Sequence, residues 1–266
     1  MYTFNYHRPA SLDQTKELLS SLEDPKILAG GMTLLPTMKQ RLASPSDLID
    51  LADVDGLREL HIAEGRAHIG AMCRHVEVES SDTLKAGLPV LAALAGHIGD
   101  PQVRNRGTAG GSIANADPAA DYPAAVLALK GEVTTSSRTI GADDFFVDLF
   151  ETALKEDEII QSVSFAVPEC AAYMKFPNPA SRYAIVGVLV AKFDDGVRVA
   201  VTGAGPNAFR VAEMESRLNE RFDASAIEDM LIDDSELNAD IHASNEYRAH
   251  LVTVMARRAV DAAKSA

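Results

Sequence analysis

Two short glycine-bearing runs hold the residues of this chain best suited to bind a ligand: Ala29-Gly30-Gly31-Met32-Thr33 and Thr108-Ala109-Gly110-Gly111-Ser112. Glycine turns at positive φ and puts no Cβ between the backbone and whatever approaches it. Successive N–H groups can then form an anion-binding nest, to which a following helix adds its positive end. The chemistry on offer is recognition of phosphate by bare backbone. Each run pairs two glycines with a hydroxyl residue, and the first opens a predicted helix, so together they could pinch one diphosphate between two lobes. Either run alone is equally an ordinary tight turn. Neither is a P-loop, because the pattern G-x-x-x-x-G-K-[ST] is absent.

Other constellations are weaker. Gly203-Ala204-Gly205-Pro206-Asn207-Ala208 follows a predicted strand and precedes a helix, and Asp223 lies about twenty residues on, as in a dinucleotide fingerprint. Pro206, however, removes an N–H where a pyrophosphate needs donors, and no strand completes a βαβ unit, so a plain turn is expected there. His61, His68 and His75 recur at intervals of seven. They are not expected to share a face and have no carboxylate-rich ligand set around them. Cys73 and Cys170 have no C-x-x-C partner and cannot form a multi-cysteine metal or iron–sulfur site.

The elements that must position the glycine runs follow from apolar periodicity. Ser11 and Gln14 read as a capping box for a helix with Leu12, Leu18, Leu19 and Leu22 on one face. A short buried strand over 26–29 runs into Gly30-Gly31. A helix over 33–41 and a strand over 47–51 follow, giving a small parallel unit. Residues 60–62 and 67–69 flank Glu64-Gly65-Arg66 as a hairpin, and 88–98 is an apolar helix. Asp121 is placed to cap a helix over 122–129 with Pro123 in its first turn. A strand over 159–167 ends at Pro168, and residues 169–180 read as irregular. Strands over 185–193 and 197–202 are joined by Asp194-Asp195-Gly196, a good hairpin turn. Helices, an acidic stretch over 223–240 and a closing helix over 245–264 complete an α+β chain in about three lobes.

Composition narrows the function. The chain has 266 residues, 47% of them hydrophobic, which is enough for one large or several small packed domains. With 25 basic against 39 acidic residues the formal charge is -14, so nonspecific binding of nucleic acid is not expected. No apolar run is long enough for a transmembrane segment. The start, MYTFNYHRPASL, has no basic segment followed by an apolar one, so no signal peptide is read, and a cytoplasmic setting suits the two unpaired cysteines.

The segments ILAGGMTLLPTMKQRLASPSDLIDL and GDPQVRNRGTAGGSIANADPAADYP, with KFPNPASRYAIVGV beyond them, resemble the FAD-binding medium subunit of molybdenum hydroxylases. The branch resembled is that of aerobic carbon monoxide dehydrogenase, whose module xanthine dehydrogenase carries within its chain. The similarity covers nearly the whole length. It implies an α+β fold: a two-lobed FAD-binding domain of the vanillyl-alcohol-oxidase (PCMH) type over 1–55 and 56–170, then a smaller C-terminal domain over 171–266 with an antiparallel sheet and helices. It also implies that Ile27, Leu28, Ala29, Gly30, Gly31, Met32, Thr33 and Leu34 wrap the FAD diphosphate, and that Thr108, Ala109, Gly110, Gly111 and Ser112 close on it. Asp121 corresponds to an aspartate near the ribityl–phosphate part, Lys175 to a lysine reaching the flavin, and Tyr183 to an aromatic beside the isoalloxazine. Ile98 and Ile160 correspond to apolar contacts.

Met32 and Ser112 depart from the family, where a polar residue (often histidine) and an asparagine are common. Neither glycine run presents a His or Cys, so non-covalent FAD is expected. The implied role is electron relay from iron–sulfur clusters to an external acceptor. The molybdenum cofactor and the 2Fe-2S clusters are then expected in a large and a small partner subunit, in a dimer of heterotrimers. Two alternatives stay open at this point: a self-sufficient flavin-dependent reductase on the same fold, and a non-catalytic assembly module.

Overall fold

In the computed structural model, which describes residues 1–265, the first lobe is a three-stranded parallel sheet. Its strands are β1 (Asn5–His7), β2 (Pro25–Leu28) and β3 (Asp47–Asp50), in the order β1-β3-β2. Helix α1 (Leu12–Ser21) joins β1 to β2, and α2 (Leu34–Lys39) joins β2 to β3, so the expected strand–glycine–helix–strand unit forms. Ser11 caps α1 by accepting from the Gln14 N–H, but the Gln14 side-chain oxygen accepts from the Ala10 N–H, one residue outside the box. Strand β2 is only half-buried, whereas the sequence reading made it a buried strand; it lies at the sheet edge, and the paired interior strand is β3.

The second lobe is an antiparallel five-stranded sheet in the order β4-β5-β10-β6-β7. It uses β4 (Leu60–Ala63), β5 (Arg66–Gly70), β6 (Glu132–Thr135), β7 (Thr139–Gly141) and β10 (Ile160–Ala166). Between β5 and β6 runs a helical insertion: α3 (His75–Ser80), α4 (Asp82–Gly87), α5 (Pro89–Gly96), α6 (Pro101–Arg104), α7 (Ala109–Asn115) and α8 (Tyr122–Ala128). Helix α9 (Ala142–Phe145) and a separate hairpin, β8 (Phe146–Asp148) and β9 (Glu151–Thr152), precede β10. His61 and His68 stand directly opposite each other in the β4–β5 ladder, with rings stacked 4.9 Å apart, so they do share a face, contrary to expectation. A two-residue turn at Glu64-Gly65 pairs positions equidistant from it, and the interval of seven is the trace of that register. His75 lies elsewhere, and no group of three potential metal ligands occurs among the described residues.

The third lobe corrects the sequence reading of 169–180. Those residues are mostly strand: β11 (Cys170–Pro177) pairs with β12 (Ala184–Phe193), which pairs with β13 (Gly196–Thr202) and then β14 (Phe209–Arg210). Strand β12 is buried on both faces. Val186, Val188 and Val190 face α10 (Ala212–Glu220) and α11 (Asn245–Ala263), whereas Leu189 and Ala191 join the core of the second lobe. Each of these buried valines and leucines contributes about 1.5–3 kcal/mol. The Gly203–Ala208 segment is the plain turn expected, for the Gly203 N–H is spent on the Pro118 carbonyl at 2.7 Å and β14 intervenes before α10.

Glu158, buried at the entry to β10, accepts from Arg138 Nε at 2.8 Å and from the Lys155 N–H at 2.9 Å. Arg138 beside it brings its carboxyl down to about 2. A depressed carboxyl stabilises the fold above its unfolded value of 4.5, and the contribution is lost as pH falls through about 2. Arg138→Met should therefore lower the melting temperature at neutral pH. Melting curves taken down the pH scale should show the gap from wild type closing between those two values; a gap that persists at the acid end would count against the pairing.

Candidate functional site

The first glycine run leaves β2 and turns at Gly31, whose φ of +73° is the left-handed region that glycine adopts readily. The Gly31 carbonyl accepts from the Leu35 N–H and starts α2. From Gly30 to Leu34 no backbone N–H donates to any protein group among the described residues. This stretch is half-buried to exposed, and Met32 and Thr33 reach solvent. Five consecutive amides without an internal acceptor form a cradle of the kind that binds an oxyanion.

The second run is built differently. Thr108 caps α7, its hydroxyl accepting from the Gly111 N–H at 3.2 Å, so this run opens a helix as well. The Ala109 and Gly110 N–H groups are already spent, on the carbonyls of Cys73 and Ala71, each at 2.9 Å. A Cβ on Gly110 would lie 2.5 Å from the Ala71 Cβ, so that glycine serves packing. A Cβ on Gly111 would meet the Thr108 hydroxyl at 2.8 Å and the Ala29 Cβ at 3.4 Å, so that glycine faces the first run. The two runs meet again at Gly30, where a Cβ would come 2.1 Å from the Arg106 carbonyl. Five consecutive backbone donors are free on the first run and only that of Thr108 on the second, which supplies a close wall with the hydroxyls of Thr108 and Ser112.

Beneath that wall lies His75, which the sequence reading left without a role. Its backbone N–H donates to the Gly107 carbonyl at 2.9 Å, and a Cβ on Gly107 would fall 2.6 Å from its ring Nε2. The ring packs on Tyr122 with centroids 5.5 Å apart, and burial brings its pKa down to about 4. Gly107, in the same glycine-bearing stretch, was the signal for this close approach.

Asp121 is not the helix cap expected of it. Its backbone is already helical and its carboxylate makes no capping bond. It turns inward instead, accepting from the Tyr173 hydroxyl at 2.5 Å and from Lys175 Nζ at 2.9 Å. Lys175 also donates to the His97 carbonyl at 3.0 Å. The two charged side chains are 4% and 2% exposed. Burial pushes the Asp121 carboxyl up, while Lys175 and Tyr173 oppose it; the Tyr173 hydroxyl is pushed well up by burial and by Asp121. Lys175 and Tyr173 come from β11, so the missed strand is the one that completes this group.

The remaining expected residues lie around it. Ile98 follows α5 one residue after His97 and packs on the second-lobe core. Ile160 is inside that core, whereas its neighbour Ile159 shares a cluster with Ile27 and Ala29 of the first run. Tyr183, 44% exposed, lies beside the Asp117–Asp121 turn at the rim of a cleft of about 380 Å³ that Asn178, Ser181 and Arg248 also line. Burial, then Asp117 and Asp121, push its hydroxyl up.

This arrangement matches a known class. The chain belongs to the family described as FAD binding domain in molybdopterin dehydrogenase, which matches residues 2–169, and residues 171–263 match the CO dehydrogenase flavoprotein C-terminal domain. It is an FAD-binding subunit of the molybdenum hydroxylase family, and the self-sufficient reductase and the assembly module find no support. Among its relatives, the nicotine 6-hydroxylase medium subunit of Paenarthrobacter nicotinovorans is 40% identical, over 96% of this chain and 95% of that one. The carbon monoxide dehydrogenase medium chain of Hydrogenophaga pseudoflava is 36% identical, over 98% and 96%. Of solved structures, the reconstituted CO dehydrogenase from Oligotropha carboxidovorans superposes with a TM-score of 0.92 at 31% identity, over 99% of this chain and 98% of that one. The fold class expected from sequence is therefore correct.

Removing one partner of a buried ion pair strands the other, at a cost of about 3–5 kcal/mol. Lys175→Met should destabilise the chain on that scale, and Asp121→Asn added to it should recover much of the loss. Denaturant titrations of both single variants and the double measure the coupling; independent, additive losses would show that the pair is not a unit. Separately, His75 is held neutral, so wild-type stability should fall as pH drops from 6.5 towards about 4, because the unfolded chain takes a proton that the folded one refuses. The slope is at most about 1.4 kcal/mol per pH unit. His75→Gln should flatten that part of the profile, and an unchanged profile would assign the slope elsewhere.

Proposed function

We propose that the two glycine runs are the jaws of an FAD clamp and that this chain relays electrons from iron–sulfur clusters of a partner to an external acceptor. The observation that carries the reading is the row of unpaired amides from Gly30 to Leu34, closed against Arg106–Gly107 and Gly111. Those amides suit the two charges of the FAD diphosphate, and they let an acidic protein bind it without spending a cation. Residues Ile27 to Leu34 wrap the diphosphate, and Thr108 to Ser112 press on it from the other side. Ile159, in the cluster under the first jaw, is a better apolar contact than Ile160. Bound FAD supplies the redox chemistry, accepting electrons singly or in pairs.

The chain's own residues bind, orient and set charge. Lys175 and Asp121 hold a compensated pair at the junction of the lobes, near enough to tune the cofactor without adding net charge. Tyr183 covers the ring system from the third lobe. The division that serves this function is 1–55 and 56–170 for the two FAD-binding lobes and 171–266 for the C-terminal domain.

The chain works as the medium subunit of a multi-subunit complex. A 2Fe-2S cluster needs four thiolates, and this sequence has two cysteines far apart. Cys73 is buried, with its thiol pushed up to about 11. The clusters and the molybdenum cofactor then belong to a small and a large partner, in a dimer of heterotrimers in the cytoplasm.

Titration of the purified chain with FAD, followed by quenching of flavin fluorescence, tests the clamp. Saturable binding is expected, weakened ~10-fold or more (~1.4 kcal/mol) in Gly111→Asp, where a carboxylate would crowd and repel the diphosphate. Equal affinity of variant and wild type would reduce the second run to a turn.

A further inference from the structure

The β8–β9 hairpin belongs to none of the three sheets. Two strands alone are marginally stable in water, yet this pair is firmly rooted. Phe145 at its base is fully buried and packs edge-to-face on Phe146 at 5.1 Å, and the Ala153 N–H donates to the Phe145 carbonyl at 2.9 Å. On this root stand Val147, Leu149 and Phe150, exposed by 55%, 53% and 56%. Phe150 has a φ of +56°, a left-handed backbone that is unfavourable for a bulky residue.

Several other exposed apolar residues have partners or stand apart in the chain. The Arg41 guanidinium lies over the Tyr2 ring, and the Tyr6 hydroxyl donates to Asp50. Leu231 and Ile241 stand singly on the third lobe. The hairpin gathers three within four consecutive residues, and acidic residues flank them in the chain. Asp144, Asp148, Glu151, Glu156 and Asp157 are exposed and form no ion pair among the described residues; Lys155 is the one basic residue in that run.

A second copy of this chain is a poor occupant for such a surface. It would bring the same carboxylates, and a formal charge of -14, against themselves. The geometry points to a different chain: the hairpin is a plug by which this subunit docks into an apolar socket with a basic rim on another subunit of its complex. This rests on the multi-subunit reading above. Three side chains are too few for a whole interface, which buries about 1,200–2,000 Å² in all, so the plug is its central anchor.

The test uses the complex isolated through a tag on this chain, read as iron and molybdenum per flavin. Replacing Val147, Leu149 and Phe150 together by Ser should cut both ratios at least tenfold, while FAD binding and melting of the isolated chain stay as in wild type. Phe150→Gly separates docking from folding. It relieves the left-handed backbone, so the isolated chain should melt no lower, while its complex loses iron and molybdenum on dilution. Neutralising Asp148, Glu151, Glu156 and Asp157 to their amides should remove most of the salt dependence of retention. Full metal ratios in the triple variant would overturn the plug and leave the FAD relay standing. A wild-type dimer of the isolated chain that the triple variant cannot form would overturn it in favour of a second copy. Wild-type complex free of iron and molybdenum would overturn the relay itself, and the docking partner with it.

Discussion

A carboxylate and an ammonium buried together must find each other, and the meeting of Asp121 with Lys175 dictates much of the surrounding structure. Asp121 belongs to the insertion of the second lobe and Lys175 to the first strand of the third, so neither lobe satisfies its own charge. The Asp117–Asp121 turn is drawn against the third sheet, its carbonyls accepting from one side chain and from backbone. The single O–H of Thr202 lies within reach of the Pro118 and Ala120 carbonyls, at 2.9 and 2.6 Å, and the Ala184 N–H donates to the Ala119 carbonyl. Gly187 stands opposite Lys175 in the ladder, and a Cβ there would fall 2.3 Å from the Tyr173 hydroxyl. That empty position lets the tyrosine reach the carboxylate. Helix α8 starts at the next residue and is buried throughout, so the core of two lobes is continuous behind the pair.

The two glycine runs look alike as sequence and divide the work as structure. In the second, the carbonyls of Ala71 and Cys73 take the amides that a ligand would need, and His75 and Tyr122 fill the space beneath. That run has spent four of its five backbone donors, all but that of Thr108. In the first, the backbone from Gly30 to Leu34 leaves its donors without a protein acceptor. A pair of identical nests would hold a diphosphate symmetrically. In the clamp proposed above, a donor row facing a wall would hold it from one side and fix its position from the other.

What the sequence made legible was local. The parallel unit of the first lobe shows as apolar blocks on either side of Gly30-Gly31, and the β12–β13 hairpin shows at Asp194-Asp195-Gly196 because that turn suits only a few residues. Strand β11 was hidden because it is an edge strand whose inward residues include a tyrosine and a lysine. Their partner is more than fifty positions away, so its alternation looked like a loop. Asp121 was misread for the same reason. An aspartate before Tyr-Pro satisfies every local rule for a helix cap, and the buried lysine that claims it is not local. The reason for two adjacent glycines at 110–111 was likewise out of reach, since one serves the packing of Ala71 and the other faces Ala29 across a gap between lobes. The identity of the site was legible through resemblance rather than through physics.

The open first jaw also bears on the order of events in making the protein. Donors without a protein acceptor on a half-buried to exposed stretch can be solvated by water until an anion replaces it, so in the proposed clamp the chain would not need its ligand in order to close its hydrogen bonds. Folding can finish first and loading can follow. Once loaded, the clamp gains stability in proportion to the logarithm of free ligand over its dissociation constant. A cell short of flavin would then accumulate folded but empty chains rather than misfolded ones, a stock that can be charged as soon as supply returns.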